Sequence, residues 1–237
     1  MRGPEEQPRD ERTEITMSQV ESLGLRALGT AHAFAAAIRL APTLAVKKAL
    51  VEYVWEELRR FESASDLYVE LAPGADLHEA VRERVAGMPA PESWLEVTVV
   101  QFLYDRAGAV QLGELAGSSD PRVARLAARI LEGERMHAFL GGEGGIALRN
   151  MLLGDPDRAP AAQTYVDRWL AHSLRSFGRP GTPRSRRAIE LGLRRRDSAE
   201  VVRDYLAELT PIVQACGLRL PSREIMGLEL PPGLGLA

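Results

Sequence analysis

One cysteine, Cys216, stands in 237 residues. An intramolecular disulfide is therefore excluded, and a reducing compartment is expected. Lysine is nearly absent, occurring only at Lys47 and Lys48, while arginine is abundant; this reads as compositional bias rather than function. Aromatic residues make up 5% of the chain, and the 45% hydrophobic content is mainly Ala, Leu and Val. That mixture favours helices over sheets. No apolar run reaches the roughly 18 residues of a membrane span. The start, "MRGPEEQPRDERTE", lacks the apolar core of a signal peptide. A cytoplasmic protein with no membrane partner is expected. The net charge of −3 and pI of about 5.9 give no basic character that would make nucleic acid a partner. Strand alternation is missing too. The one glycine cluster, "GGEGG" at Gly141–Gly145, follows a helix rather than a strand, so a phosphate loop is not indicated.

What is present is helical period. Residues 1–16 are polar and aperiodic and read as a disordered arm. From Met17 to about Leu40, Val20, Leu23, Leu28 and Ala31 fall near one side of a first helix. Pro42 breaks it and suits the first turn of a second, which runs to about Leu71 and ends at "APGA". A short helix, "DLHEAVRERVAG", precedes a third long one, "WLEVTVVQFLYDRAGAVQLGELA". "SSDP" then starts a fourth, with Asp120 as cap and Pro121 at its first position. "GGEGG" weakens or kinks its continuation. Two further helices are expected at about 160–176 and 183–216, before a Pro/Gly-rich extended tail over 220–237. Long helices with short connections predict an all-α fold over residues 17–219: a four-helix bundle with additional C-terminal helices.

Several polar residues interrupt apolar faces. Glu134 precedes His137 by three residues on helix four, so their Cβ atoms would lie about 5–6 Å apart. Asp105 interrupts the apolar run of helix three, and a buried carboxylate there needs a partner. On helix two, Glu57 follows Tyr53 and Val54, and Arg60 lies three residues on. Each feature alone is an ordinary surface pair or a solvated edge. Together, on three successive helices of one bundle, they match the logic of di-metal carboxylate bundles, in which carboxylates and Glu-x-x-His pairs point inward.

At these residues the sequence resembles the phenylacetic acid catabolic family, the PaaA/PaaC-like subunits of the multicomponent phenylacetyl-CoA epoxidase. "APTLAVKKAL" is similar to a family block with Lys47 at its lysine. "WEELRRF" stands at the family's first Glu-x-x-His motif and "LEGERMH" at its second. "VDRWLAHSLRSFG" and "LTPIVQACGLRLP" are similar to its C-terminal signature. The resemblance spans about Ala41 to Pro221 and implies a ferritin-like fold. Catalytic subunits of the family bind two irons and insert oxygen into an aryl-CoA ring. The PaaC-type subunits share the fold without the working site and pair with the catalytic one.

The resemblance places Glu57, Asp105, Glu134 and His137 at metal-ligand positions. Arg60 stands where the first motif needs His. Helix one offers no convincing carboxylate: Glu21 lies far N-terminal, and His32, the metal-capable residue near the expected level, reads better as a packed core residue. Arg60 brings a charge that does not titrate and a planar fork that suits carboxylates. A full di-iron centre is therefore not expected. Either no metal binds and an Arg60-centred network replaces it, or one divalent ion, iron or manganese, binds through Asp105, Glu134 and His137, with or without Glu57. The first outcome implies a non-catalytic structural subunit, a homodimer or a heteromer with a PaaA/PaaC-like partner. The second implies an oxygenase or oxidase with a reduced or mononuclear site acting on an aromatic acyl-thioester, with acyl-CoA as the ligand. A bundle whose vacated site is an apolar ligand pocket is a third reading.

Overall fold

The computed structural model describes residues 10–137 and 145–222, with residues 133–137 described by their backbone alone. Nine helices lie in this range: α1 (Glu11–Ala37), α2 (Leu44–Leu71), α3 (Leu77–Ala86), α4 (Trp94–Leu115), α5 (Pro121–His137), α6 (Ile146–Gly154), α7 (Ala159–Arg175), α8 (Pro183–Glu190) and α9 (Ser198–Ala215). Single 3₁₀ turns at Ile38–Leu40 and Pro156–Arg158 follow α1 and precede α7.

Local chemistry sets the helix starts. Thr43, Asp76 and Ser93 cap α2, α3 and α4, each side chain accepting from the backbone N–H three residues on. Pro42 thus precedes the cap of α2 instead of entering its first turn. Asp120 Oδ1 accepts from Arg122 N at 2.9 Å, and Pro121 opens α5 as expected.

The order of contacts along the helices gives the topology. Near one end of the bundle, Val20 and Leu23 of α1 pack with Leu67 of α2, Leu112 of α4 and Val123 and Leu126 of α5. Towards the other end, Phe34 of α1 meets Tyr53 of α2 and Phe102 of α4. Helices α1 and α2 therefore run antiparallel, whereas α2 and α4 run parallel. A parallel pair needs a crossover back along the bundle, and residues 72–93 supply it. Leu77 lies against Gly24 and Met88 against Gly29, so α3 climbs along α1 in the same direction as α1 itself. A Cβ on Gly24 would come within 2.7 Å of Leu77 Cδ2, and one on Gly29 within 2.3 Å of the Met88 sulfur. These two glycines let the crossover seat closely. Four long helices with one such crossover are the ferritin-like arrangement. The all-helical, ferritin-like expectation holds.

The C-terminal helices pack on α4. Trp169 of α7 is 1% exposed and donates from Nε1 to Glu96 Oε1 at 2.6 Å. Tyr205 of α9 donates to the Leu103 carbonyl at 3.0 Å.

Two boundaries differ from expectation. Helix α1 begins at Glu11, inside the segment read as an arm. Asp10 caps it, accepting from Thr13 N at 2.8 Å. Ile15 is buried with Ala188 and Leu193 in a small core of its own. Residues 11–16 are thus ordered by C-terminal partners that no local pattern announces. The helix expected over 183–216 is two helices. Gly192 adopts φ +69°, and Asp197 with Glu200 forms a capping box that restarts the chain as α9. Helix α6 starts after Gly145 at φ +99°, a left-handed conformation that favours glycine. The expected tail, residues 220–237, falls largely outside the described residues.

Leu77 is fully buried where the crossover meets α1. Leu77→Ala is expected to destabilise the fold by about 2–5 kcal/mol, measured by urea unfolding.

Candidate functional site

Between the two apolar ends of the bundle lies a polar layer. Helix α2 builds its first wall. Tyr53, Glu57 and Arg60 follow one another at i+4 and i+3 and share the face turned to the core, exposed by 7%, 1% and 9%. Arg60 Nη1 donates to Glu57 Oε1 in a buried ion pair. Such a pair forms readily within one helix at this spacing. Its burial raises the stakes, because either charge alone would be strongly penalised inside.

Helix α1 contributes Arg26. With Glu57 and Arg60 it lines a small cavity closed by Leu23, Ala27, Leu112 and Ile130. The guanidinium of Arg26 lies over Gly108 of α4, where a Cβ would come within 1.9 Å of its Nη2. Glycine inside a helix costs roughly 1 kcal/mol relative to alanine; here it makes the notch that admits the guanidinium.

Helix α4 also carries Asp105, one turn before Gly108 and half-buried. Asp105 Oδ1 accepts from the Tyr53 hydroxyl at 2.8 Å. The Phe34 ring meets Tyr53 edge-on, with centroids 4.9 Å apart. The Tyr53–Asp105 bond ties α2 to α4 one turn from Glu57.

Of the four expected metal ligands, Glu57 and Asp105 reach this layer from α2 and α4, which face each other across the bundle. Glu134 follows cavity-lining Ile130 at i+4 on α5, with His137 three residues further; the side chains of both lie outside the described residues. Among the described residues no group of three or more His, Cys, Asp or Glu side chains gathers at metal-binding distance. His32 does not belong here. It is exposed on the outer face of α1, because the core-facing positions on either side are taken by Ala31, Ala33 and Phe34. Glu21 is also elsewhere, accepting from the Tyr68 hydroxyl at 2.7 Å.

The residue that sequence reasoning missed is Arg26. Its signal was available: a lone arginine in the otherwise apolar run "LGLRALGT", level with a glycine in a facing helix. Arginine usage as a whole also gains a structural reason. Glu96, fully buried, pairs with Arg168. Glu114, 3% exposed, takes Arg196 Nη2 at 2.7 Å. Asp120 takes Arg122 Nη2 at 2.8 Å, and that bond is the main cause holding its carboxyl below the usual range. Each buried carboxylate is thus met by the planar donor fork that lysine lacks.

Removing Arg60 would take a fixed positive charge from the buried Glu57. Arg60→Ala is expected to lower unfolding free energy by about 3–5 kcal/mol. Arg59→Ala, one exposed position away, should stay within about 0.5 kcal/mol. Urea titrations of the two variants make the comparison.

No curated protein matches this chain. A family model does: phenylacetic acid catabolic protein, matched over residues 1–229. That span covers nearly all of the sequence, including every helix of the bundle. The chain belongs to the phenylacetic acid catabolic protein family.

Proposed function

We propose that this chain is a non-catalytic partner subunit of a multicomponent aryl-CoA monooxygenase of the phenylacetate-catabolism type, its core closed by arginine in place of metal. The observation that carries this reading is the buried Glu57–Arg60 ion pair. It falls at the motif where the family's catalytic subunits need a histidine.

The donor set does not fit a dinuclear centre. One oxygen of Glu57 is committed to a guanidinium that cannot deprotonate. Arg26 lines the same cavity and adds a second fixed positive charge. Among the described residues, the carboxylates of Glu57 and Asp105 stand against the guanidinium ions of Arg60 and Arg26, which leaves no net negative charge to hold a dication. Arg26 therefore weighs against the mononuclear arrangement as well.

Without oxygen chemistry of its own, the bundle's contribution is its surface. Helix α2 leaves Leu44, Val51 and Trp55 exposed by 68%, 53% and 61%. These apolar side chains recur along its outer face at helical spacing. A helical partner of the same family, either a second copy or a catalytic homologue, would cover them.

Two measurements test this. Protein purified without chelator should carry substoichiometric iron and manganese by elemental analysis, and Arg60→His should raise metal affinity with the fold intact. Stoichiometric metal lost on Asp105→Ala and on His137→Ala would establish the mononuclear oxygenase instead. Co-expression with a catalytic family member should give a complex on size exclusion that Trp55→Asp weakens. A chain that remains monomeric, both alone and beside such a homologue, would sink the partner reading.

A further inference from the structure

A cavity of about 300 Å³ opens between α1, the end of α3, α4 and α7. Arg26, Arg84 and Arg175 converge on it from three different helices, with His172 and Ser173 between them. No carboxylate lines it among the described residues, although the chain as a whole is acidic, at net −3. Glu21 lies 3.5 Å from Arg84 Nη2 and already accepts from Tyr68, while Arg26 also lines the core cavity with Glu57. The Ser173 hydroxyl is 1% exposed and lies against the buried Tyr205 hydroxyl. Leu25 and Met88 give the same cavity an apolar wall.

These features call for one kind of occupant. Arg84 and Arg175 give this concave surface a positive field, which low-dielectric walls strengthen. An oxyanion relieves it and accepts from planar forks in matching geometry. The apolar wall selects against a bare inorganic ion. We propose that this cavity binds a small organic oxyanion, a carboxylate or phosphate monoester on a short apolar body, clamped by Arg84 and Arg175. The proposal goes beyond the reading of the bundle core and does not depend on it.

His172 gives an internal reporter. Its imidazole is held below the ordinary 6.5, first by burial and then by the charges of Arg175 and Arg168. Arg26 approaches the cavity from α1 and Tyr104 from α4. A bound anion offsets the positive field, so His172 should titrate at higher pH when the cavity is filled.

The test uses the full chain with sodium hexanoate, n-hexyl phosphate, inorganic phosphate and hexanol as probes. Calorimetric titration should show saturable binding of hexanoate or hexyl phosphate, and none of hexanol. Arg84 and Arg175 are exposed at the cavity mouth, so Arg84→Ala and Arg175→Ala should fold normally by circular dichroism. Each should weaken binding about tenfold, the loss expected for one charge-assisted hydrogen bond; Arg59→Ala should leave it unchanged. In NMR the His172 ring signal should titrate at higher pH with ligand. Preference for hexyl phosphate identifies a phosphate monoester, and preference for hexanoate a carboxylate. Inorganic phosphate binding as tightly as hexyl phosphate overturns the apolar subsite. Absence of saturable binding by both organic anions, or binding indifferent to both arginine variants, overturns the site.

Discussion

The bundle is organised around one buried ion pair. Glu57 and Arg60 sit mid-helix on α2, between two apolar ends that would otherwise merge into a continuous core. A carboxylate and a guanidinium at that depth are tolerated because they pair with each other and neighbouring helices close around them. The interaction fixes which face of α2 turns inward. With that face set, Tyr53 points at Asp105, and α4 is held one turn away. Arg26 then reaches the same cavity from α1. The polar layer thus gives the four long helices a common register that apolar packing alone specifies weakly.

The same solution recurs outside that layer. Glu96 anchors α7 through Trp169 and Arg168, and Glu114 anchors the start of α9 through Arg196. In both cases a buried carboxylate on α4 is met by an arginine from the C-terminal segment, Arg168 on α7 and Arg196 just before α9. Helix α4 thereby serves as the spine against which both the bundle and its C-terminal additions are aligned. Its own pattern is apolar nearly all round, as a helix covered on every side must be.

Much of this was legible in the sequence, and the exceptions have physical causes. Long helices were readable because their apolar spacing and the Asp120 cap are local signals, whereas the Thr43 and Ser93 caps went unread. The start of α1 was not, because Ile15 is ordered by Ala188 and Leu193, more than 170 residues away. The break between α8 and α9 was announced by "DSAE", whose capping-box spacing was overlooked within a longer helical period. The inward position of Arg60 followed from its spacing to Glu57 together with the family pattern. Arg26 escaped because an arginine among small residues is conspicuous only once the glycine opposite it is known. His32 was misplaced because an alanine-rich helix does not declare which of its faces is covered.

The notch at Gly108 has a consequence for substitution in this chain. An alanine there would collide with the Arg26 guanidinium, and a shorter residue at 26 would leave the notch vacant beside two charged groups. A larger residue at 108 therefore obliges the flexible end of Arg26 to move. Substitutions at the two positions are thus coupled rather than additive.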